Sequence, residues 1–309
     1  MGVSATLTGL TILTLGFAAA VVQGSRDSSA KTPTSRAAPA VDNLRQCSEL
    51  ARRLDALRET RLLRPGTTAV LAVDARTGRV LYAAQADRLL VPASNVKLVS
   101  TATALAVLGP RWRYVTLVLG SPPDGAGRVP GDLRVVGSGD PTLDQDALER
   151  LAKRLAKGGL RRVDGDVRLG GGVVVATGNA EHEPREPAVS AFAKAFDEAG
   201  IEVSGAVRRE RRGWSSPQAD AEARELLRHR SKPLRQLIRR INRPSDNDLA
   251  EAVVRTAGAV LWGGRPTRRK ALRAMRWWLR TRAGLRSTRL AIADGSGLSR
   301  RSRMTARQL

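Results

Sequence analysis

The first apolar run of the chain spans residues 7–22, inside a segment of residues 1–23 that carries no charge, with Ala18, Ala19 and Ala20 near its end. An apolar run closed by small residues is the pattern of a secretory signal, and its length is near the lower limit for spanning a bilayer. Residues 1–25 are therefore read as a signal peptide that is removed, or as a membrane anchor, through residues 1–22, that stays. The Ser/Thr/Pro/Ala-rich residues 26–43 have no apolar period and read as a linker. Over residues 44–63, Leu50, Leu54 and Leu57 recur at helical spacing among Arg and Glu, which predicts an amphipathic helix. Two β-branched runs, residues 67–74 and 79–83, flank Ala75-Arg76-Thr77-Gly78 and predict a hairpin.

Pro92-Ala93-Ser94 then opens a run to Leu108 rich in Leu, Val, Ala and Thr, stopped by Gly109-Pro110. This is a buried helix with a proline-assisted start and a Gly/Pro stop. Its one charged side chain is Lys97, and a buried lysine must be paired or have a depressed pKa. From residue 113 to 232 the texture changes to short strands at residues 114–119, 133–136 and 167–175, with helices at 148–155 and 188–199, an inserted α+β lobe. Leu234, Leu237, Ile238 and Ile241 restore a helical period, and helices at 248–261 and 268–282 follow. No repeat of fixed period is seen. The expected organisation is a split domain of residues 44–112 and 233–309 with residues 113–232 inserted.

The length of 309 residues suits about two domains, enough for a core that needs no staple. One Cys excludes a disulfide framework within the chain, and two distant His leave no set for structural zinc. Cys47 reads as a small helical residue. The 53 Lys+Arg against 29 Asp+Glu give +24, nearly all of it Arg. Such a charge first suggests an anionic partner. Aromatics are only 3%, and no helix-turn-helix, zinc-finger or aromatic RNA-binding signature is present, so no nucleic-acid partner is expected. The charge reads as compositional drift and tolerance of an anionic environment.

Three short motifs carry chemistry. In Ser94-Asn95-Val96-Lys97 the Ser and Lys share a helix face at i and i+3. A serine is a weak nucleophile until a base takes its proton, and a buried Lys of lowered pKa can be that base. In Ser245-Asp246-Asn247, with Glu251 beyond, a hydroxyl can relay a proton and an amide can hold a carbonyl and an ammonium together. The same triplet also reads as a helix cap, through Ser245 or Asp246. Asp294-Gly295-Ser296-Gly297-Leu298-Ser299 is a Gly-rich turn after the strand-like residues 290–293, and it is not a nucleophile elbow.

Four separated segments follow one another along the chain: Val91-Pro92-Ala93-Ser94-Asn95-Val96-Lys97, Gly137-Ser138-Gly139-Asp140-Pro141-Thr142-Leu143, Asn242-Arg243-Pro244-Ser245-Asp246-Asn247 with Ala250-Glu251, and Asp294-Gly295-Ser296-Gly297-Leu298-Ser299. Ser231-Lys232-Pro233-Leu234 leads into the third of these. The chain resembles the D-alanyl-D-alanine carboxypeptidase/endopeptidase family of low-molecular-mass penicillin-binding proteins that carry a large insertion, the penicillin-binding protein 4-like group. The resemblance implies an α+β, multidomain fold, a serine β-lactamase/transpeptidase-like domain with helices on an antiparallel sheet and an inserted α+β lobe. It implies acyl-enzyme chemistry on peptidoglycan stem peptides, covalent inhibition by β-lactams, no cofactor and no metal. It places the protein in an exported compartment, the periplasm or cell envelope. By the same resemblance Ser94 is the acylated nucleophile and Lys97 its base, Ser245 relays the proton, Asn247 orients substrate, and the Ser94 N–H is one oxyanion donor. The family's Lys-Thr-Gly or His-Thr-Gly triplet is not found in the 309 residues. A C-terminally truncated member without the last sheet strands is therefore expected, and the second reading is a catalytically impaired, wall-associated homologue.

Overall fold

A computed structural model describes residues 40–60, 67–170, 172–173, 186–210, 224–285 and 289–309. The segment read as signal or anchor lies outside them, as does most of the linker. Among the described residues no helix is long and apolar enough to cross a membrane. The class is α+β, and the described residues fall into two units.

The first unit holds residues 40–60, 67–93, 289–291 and 300–309. Helix α1 (Ala40–Arg58) begins inside the stretch read as linker. Strands β1 (Val70–Val73) and β2 (Val80–Ala84) pair antiparallel. The turn between them forms because Asp74 Oδ1 accepts from Arg76 N at 3.0 Å and Thr77 N at 2.7 Å, and Gly78 takes φ 72. Single bridges join Leu90 to Met304 and Ala291 to Arg303, so residues 290–293 form one bridge rather than a strand.

The second unit holds the remaining described residues. Helix α2 (Val96–Leu108) is entered through one 3₁₀ turn at Ala93–Asn95 and ends at Gly109, φ 81. Its Thr101 and Thr103 hydroxyls donate to carbonyls one turn back, at 2.8 and 2.7 Å, which is how an apolar helix buries threonine. Next come β3 (Val115–Gly120), β4 (Arg128–Val129), β5 (Leu133–Gly137), α3 (Gln145–Lys157), β6 (Arg162–Val163) and β7 (Val167–Leu169). They are followed by α4 (Glu186–Glu198), β8 (Glu202–Val203), β9 (Val207–Arg209) and β10 (Arg224–Arg230). The five-stranded sheet runs β10-β3-β5-β7-β9, antiparallel at its first two pairings and parallel at its last two. Strands β4, β6 and β8 make a small parallel sheet. Phe192 and Phe196 of α4 and Leu148 and Leu151 of α3 close a core over the sheet.

The parallel part rests on a sequence phrase used three times: Arg128-Val129-Pro130-Gly131-Asp132-Leu133-Arg134, Arg162-Val163-Asp164-Gly165-Asp166-Val167-Arg168 and Glu202-Val203-Ser204-Gly205-Ala206-Val207-Arg208. Each Gly stacks on the one before: Gly165 N donates to Gly131 O at 2.8 Å, and Gly205 N to Gly165 O at 3.1 Å. Each Asp serves the next rung. Asp132 accepts from Asp166 N at 2.7 Å and pairs with Arg168, and Asp166 accepts from Ala206 N at 2.9 Å and pairs with Arg208. The spacings are unequal, so no fixed period exists to reveal the repeat in the sequence.

One expected strand is shorter, and one strand was not foreseen. β7 stops at Leu169 instead of reaching residue 175, because the chain folds back on the end of β5 and Gly139 N donates to Gly172 O at 2.7 Å. Only glycine permits this approach, since a Cβ on Gly137 would lie 2.7 Å from Gly172 O. Strand β10 was not expected at all: Arg224-Glu225-Leu226-Leu227-Arg228-His229-Arg230 is an edge strand whose charges mask the period of two.

Helices α5 (Leu234–Asn242), α6 (Asn247–Trp262) and α7 (Arg268–Thr281) follow near the expected bounds. Helices α2, α5 and α6 enclose a second core of Ala104, Tyr114, Leu237, Ile241, Val253 and Ala257.

Candidate active site

The entry to α2 makes Ser94 and Lys97 unequal. Ala93 takes φ 48, a left-handed conformation rare outside glycine, just before Ser94. The following 3₁₀ turn leaves Ser94 exposed, while Lys97, one turn on, keeps 2% of its surface. The start of α6 supplies the second pair. Asp246 is the N-cap, its carboxylate accepting from Leu249 N at 2.9 Å. With Asp246 doing the capping, Ser245 is left in the preceding turn at φ 63 and Asn247 becomes the first residue of the helix.

These elements bring together all four side chains singled out in the sequence. Lys97 Nζ lies 3.1 Å from Ser94 Oγ, 2.6 Å from Asn247 Oδ1 and 2.9 Å from the Ser296 carbonyl. The Ser245 hydroxyl donates to Ser94 Oγ at 3.0 Å. Ser245 is thus the partner of Ser94, and the third partner of Lys97 is a backbone carbonyl. A carbonyl carries no side-chain signal, and the sequence offered no sign of it.

The Asp294–Ser299 segment is folded to present that carbonyl. Asp294 Oδ1 accepts from Gly297 N at 2.8 Å, Gly297 takes φ 85, and Ser100 Oγ donates to Gly295 O at 2.6 Å. Ser100 lies three residues after Lys97 on the same face of α2, a spacing that could have marked it. The Gly137–Leu143 and Ser231–Leu234 segments are structural. Ser138 Oγ accepts from Val115 N at 2.8 Å and Ser231 Oγ from Tyr114 N at 2.9 Å, so they hold two adjacent N–H groups where the chain enters β3. Asp140 Oδ1 accepts from Thr142 N at 2.9 Å and lies 1% exposed, and burial holds its carboxyl above the usual aspartate range.

Burial also pushes the Lys97 ammonium below the ordinary lysine value, while the charges of Asp294, Asp246 and Glu251 pull it back. The chemistry follows from proton counting. An ammonium has three N–H bonds and can serve all three neighbours. A neutral amine has two N–H bonds and one lone pair. Asn247 Oδ1 and Ser296 O can only accept, so they take both N–H bonds, and the lone pair is left facing the Ser94 hydroxyl. Such an arrangement can take a proton from Ser94 and return it through Ser245. Among the described residues no group of three or more His, Cys, Asp or Glu is placed to hold a metal.

Comparison with known proteins gives the same direction. A D-alanyl-D-alanine carboxypeptidase of Actinomadura sp. (strain R39) is 38% identical over 120 residues, 39% of this chain and 22% of that one. Carboxypeptidase Rv3627c of Mycobacterium tuberculosis is 29% identical over 280 residues, 79% of this chain and 59% of that one. The chain therefore spans about a fifth and about three fifths of these two curated relatives. Among solved structures, penicillin binding protein 4 from Haemophilus influenzae, complexed with a β-lactam, superposes with a TM-score of 0.65 at 19% identity, over 78% of this chain and 71% of that one. At that identity the likeness speaks for the fold. The family model described as D-Ala-D-Ala carboxypeptidase 3 (S13) matches residues 50–175 and 173–309, and the chain belongs to that family.

Proposed function

We propose that this protein is a serine-type D-Ala-D-Ala carboxypeptidase/endopeptidase that cuts peptidoglycan stem peptides through an acyl-enzyme. The observation that carries the reading is the pair of carbonyl-type acceptors on Lys97, which leaves its lone pair for Ser94 3.1 Å away. Lys97 takes the Ser94 proton, and Ser94 Oγ bonds to the carbonyl carbon of the penultimate D-Ala. The C–N bond to the leaving residue then breaks, and its nitrogen receives the proton through the Ser245 hydroxyl. Asn247 steadies Lys97 and orients the substrate, and the Ser94 N–H faces the developing oxyanion. Water then attacks the ester, with Lys97 again as base, and Ser94 is released. A positioned base of this kind contributes about 10²–10⁴ in rate.

A β-lactam in the same place is opened by Ser94 and stays attached. The substrate puts the protein outside the cytoplasmic membrane, in the periplasm or cell envelope, with residues 1–22 as removed signal or retained anchor. The test is D-Ala release from a pentapeptide ending in D-Ala-D-Ala. The wild-type chain releases it and Ser94→Ala does not; equal release by both would refute the assignment.

A further inference from the structure

Glu251 lies on α6 one helical turn after Asn247, so both side chains leave the same face of the helix. Its side chain is 13% exposed. Oε1 alone accepts three hydrogen bonds from the turn opposite: Gly295 N at 2.6 Å, Ser296 N at 3.0 Å and Ser296 Oγ at 3.1 Å. Oε2 lies 3.4 Å from the Arg255 guanidinium, one turn further along α6. The turn is packed hard against the helix at this point. A Cβ on Gly295 would come within 2.6 Å of Val254 Cγ1 and 3.4 Å of the Glu251 carboxyl carbon. From α2, Ser100 fixes the Gly295 carbonyl. With that carbonyl and both N–H groups engaged, the Ser296 carbonyl is the group left to face Lys97.

We propose that Glu251 is a positioning residue for Lys97, fixing the Gly295–Ser296 turn so that the Ser296 carbonyl holds one amine N–H and the lone pair stays on Ser94. The inference deepens the serine acyl-transfer reading and rests on it. The charged groups facing Lys97 are Asp294 from the turn, Asp246 from the α6 cap and Glu251, and Arg255 faces Glu251 in turn.

Two substitutions separate the clamp from the charge. Glu251→Gln keeps an Oε1 acceptor for all three donors and removes the charge. The ammonium loses a favourable neighbour, so Lys97 titrates at lower pH and the acid limb of acylation moves down with it. Its plateau rate stays within about threefold of wild type. Glu251→Ala removes the clamp, and the plateau falls about ten- to a hundredfold, the worth of a hydrogen bond to a charged group, with KM little changed.

The experiment titrates ¹³C-labelled lysine by NMR in the full chain, with Lys97 assigned by its absence in Lys97→Met, beside acylation by a fluorescent penicillin. The expected result is a downward shift of the Lys97 titration in Glu251→Gln and loss of acylation rate in Glu251→Ala. If Glu251→Ala does not fold, Glu251→Asp, which keeps the charge and draws the carboxylate back from Gly295 N, Ser296 N and Ser296 Oγ, carries the test by the same loss of acylation rate. Wild-type acylation by Glu251→Ala or by Glu251→Asp overturns the proposal. If the wild type takes no penicillin while the Lys97 resonance still follows Glu251, the hydrolase reading fails and the coupling of Glu251 to Lys97 stands.

Discussion

Ser245 carries opposite demands of stability and chemistry, and two substitutions separate them. Its φ of 63 is left-handed, which costs a residue with a Cβ about 1–2 kcal/mol. Glycine removes that cost and adds about 0.5–1 kcal/mol of unfolded-state entropy to be lost on folding. Ser245→Gly is therefore more stable than wild type by about 0.5–1 kcal/mol, which raises the melting point by about 1–4 °C in a unit of this size. Ser245→Ala keeps the strained backbone and is less stable than Ser245→Gly by about 1 kcal/mol, the reverse of the order inside a helix. Both substitutions delete the hydroxyl 3.0 Å from Ser94 Oγ, so both lower turnover, by about 10²–10⁴ if the proton travels through it. Thermal unfolding by circular dichroism and D-Ala release on the same preparations measure the two effects. An alanine variant as stable as the glycine one would refute the strain. Turnover within a fewfold of wild type in both would refute the relay.

Three further outcomes follow from the geometry. Acylation should rise with pH along a limb set by Lys97 and lying below the ordinary lysine value of 10.5, and Asp294→Asn should move it lower still, because Asp294 is the largest opposing charge; a limb at or above that value contradicts the buried base. Asp140 has a folded pKa above its ordinary 3.8, so its contribution is complete below that value and is lost as pH rises through the raised one. Melting of wild type and Asp140→Asn across acid to neutral pH should therefore show the variant gaining on wild type as pH rises, and a constant difference would refute this. Asp166→Ala, which strands Ala206 N and Arg208 on the next rung, should cost about 1 kcal/mol in denaturant unfolding, and an unchanged midpoint would remove the ladder from the stability of the sheet.

How much of this could be read from the sequence depends on where each signal resides. Helix α2 was legible because its start, its stop and its unbroken apolar run agree. The meeting of Ser94 with Lys97 follows from their spacing alone. The approach of Ser245 and Asn247 is a contact across 150 residues that no periodicity encodes, and only the order of motifs suggested it. Asp246 shows why the capping and chemical readings of that triplet need not compete: the carboxylate caps, which leaves Ser245 free to turn. Glu251 was visible without a role, although its spacing from Asn247 placed it on the same helix face. The Ser296 carbonyl was beyond reach, since any residue type offers one. Among the strands, the three-rung ladder escaped because its rungs are unevenly spaced, and β10 because an edge strand can carry charge along most of its length.

The most direct test of the central claim is intact-mass analysis and peptide mapping after incubation with a fluorescent penicillin. The account predicts one adduct per chain, carried on the peptide that contains Ser94, absent in Ser94→Ala and strongly slowed in Lys97→Met. An adduct on another residue, or labelling that survives in Ser94→Ala, would contradict it.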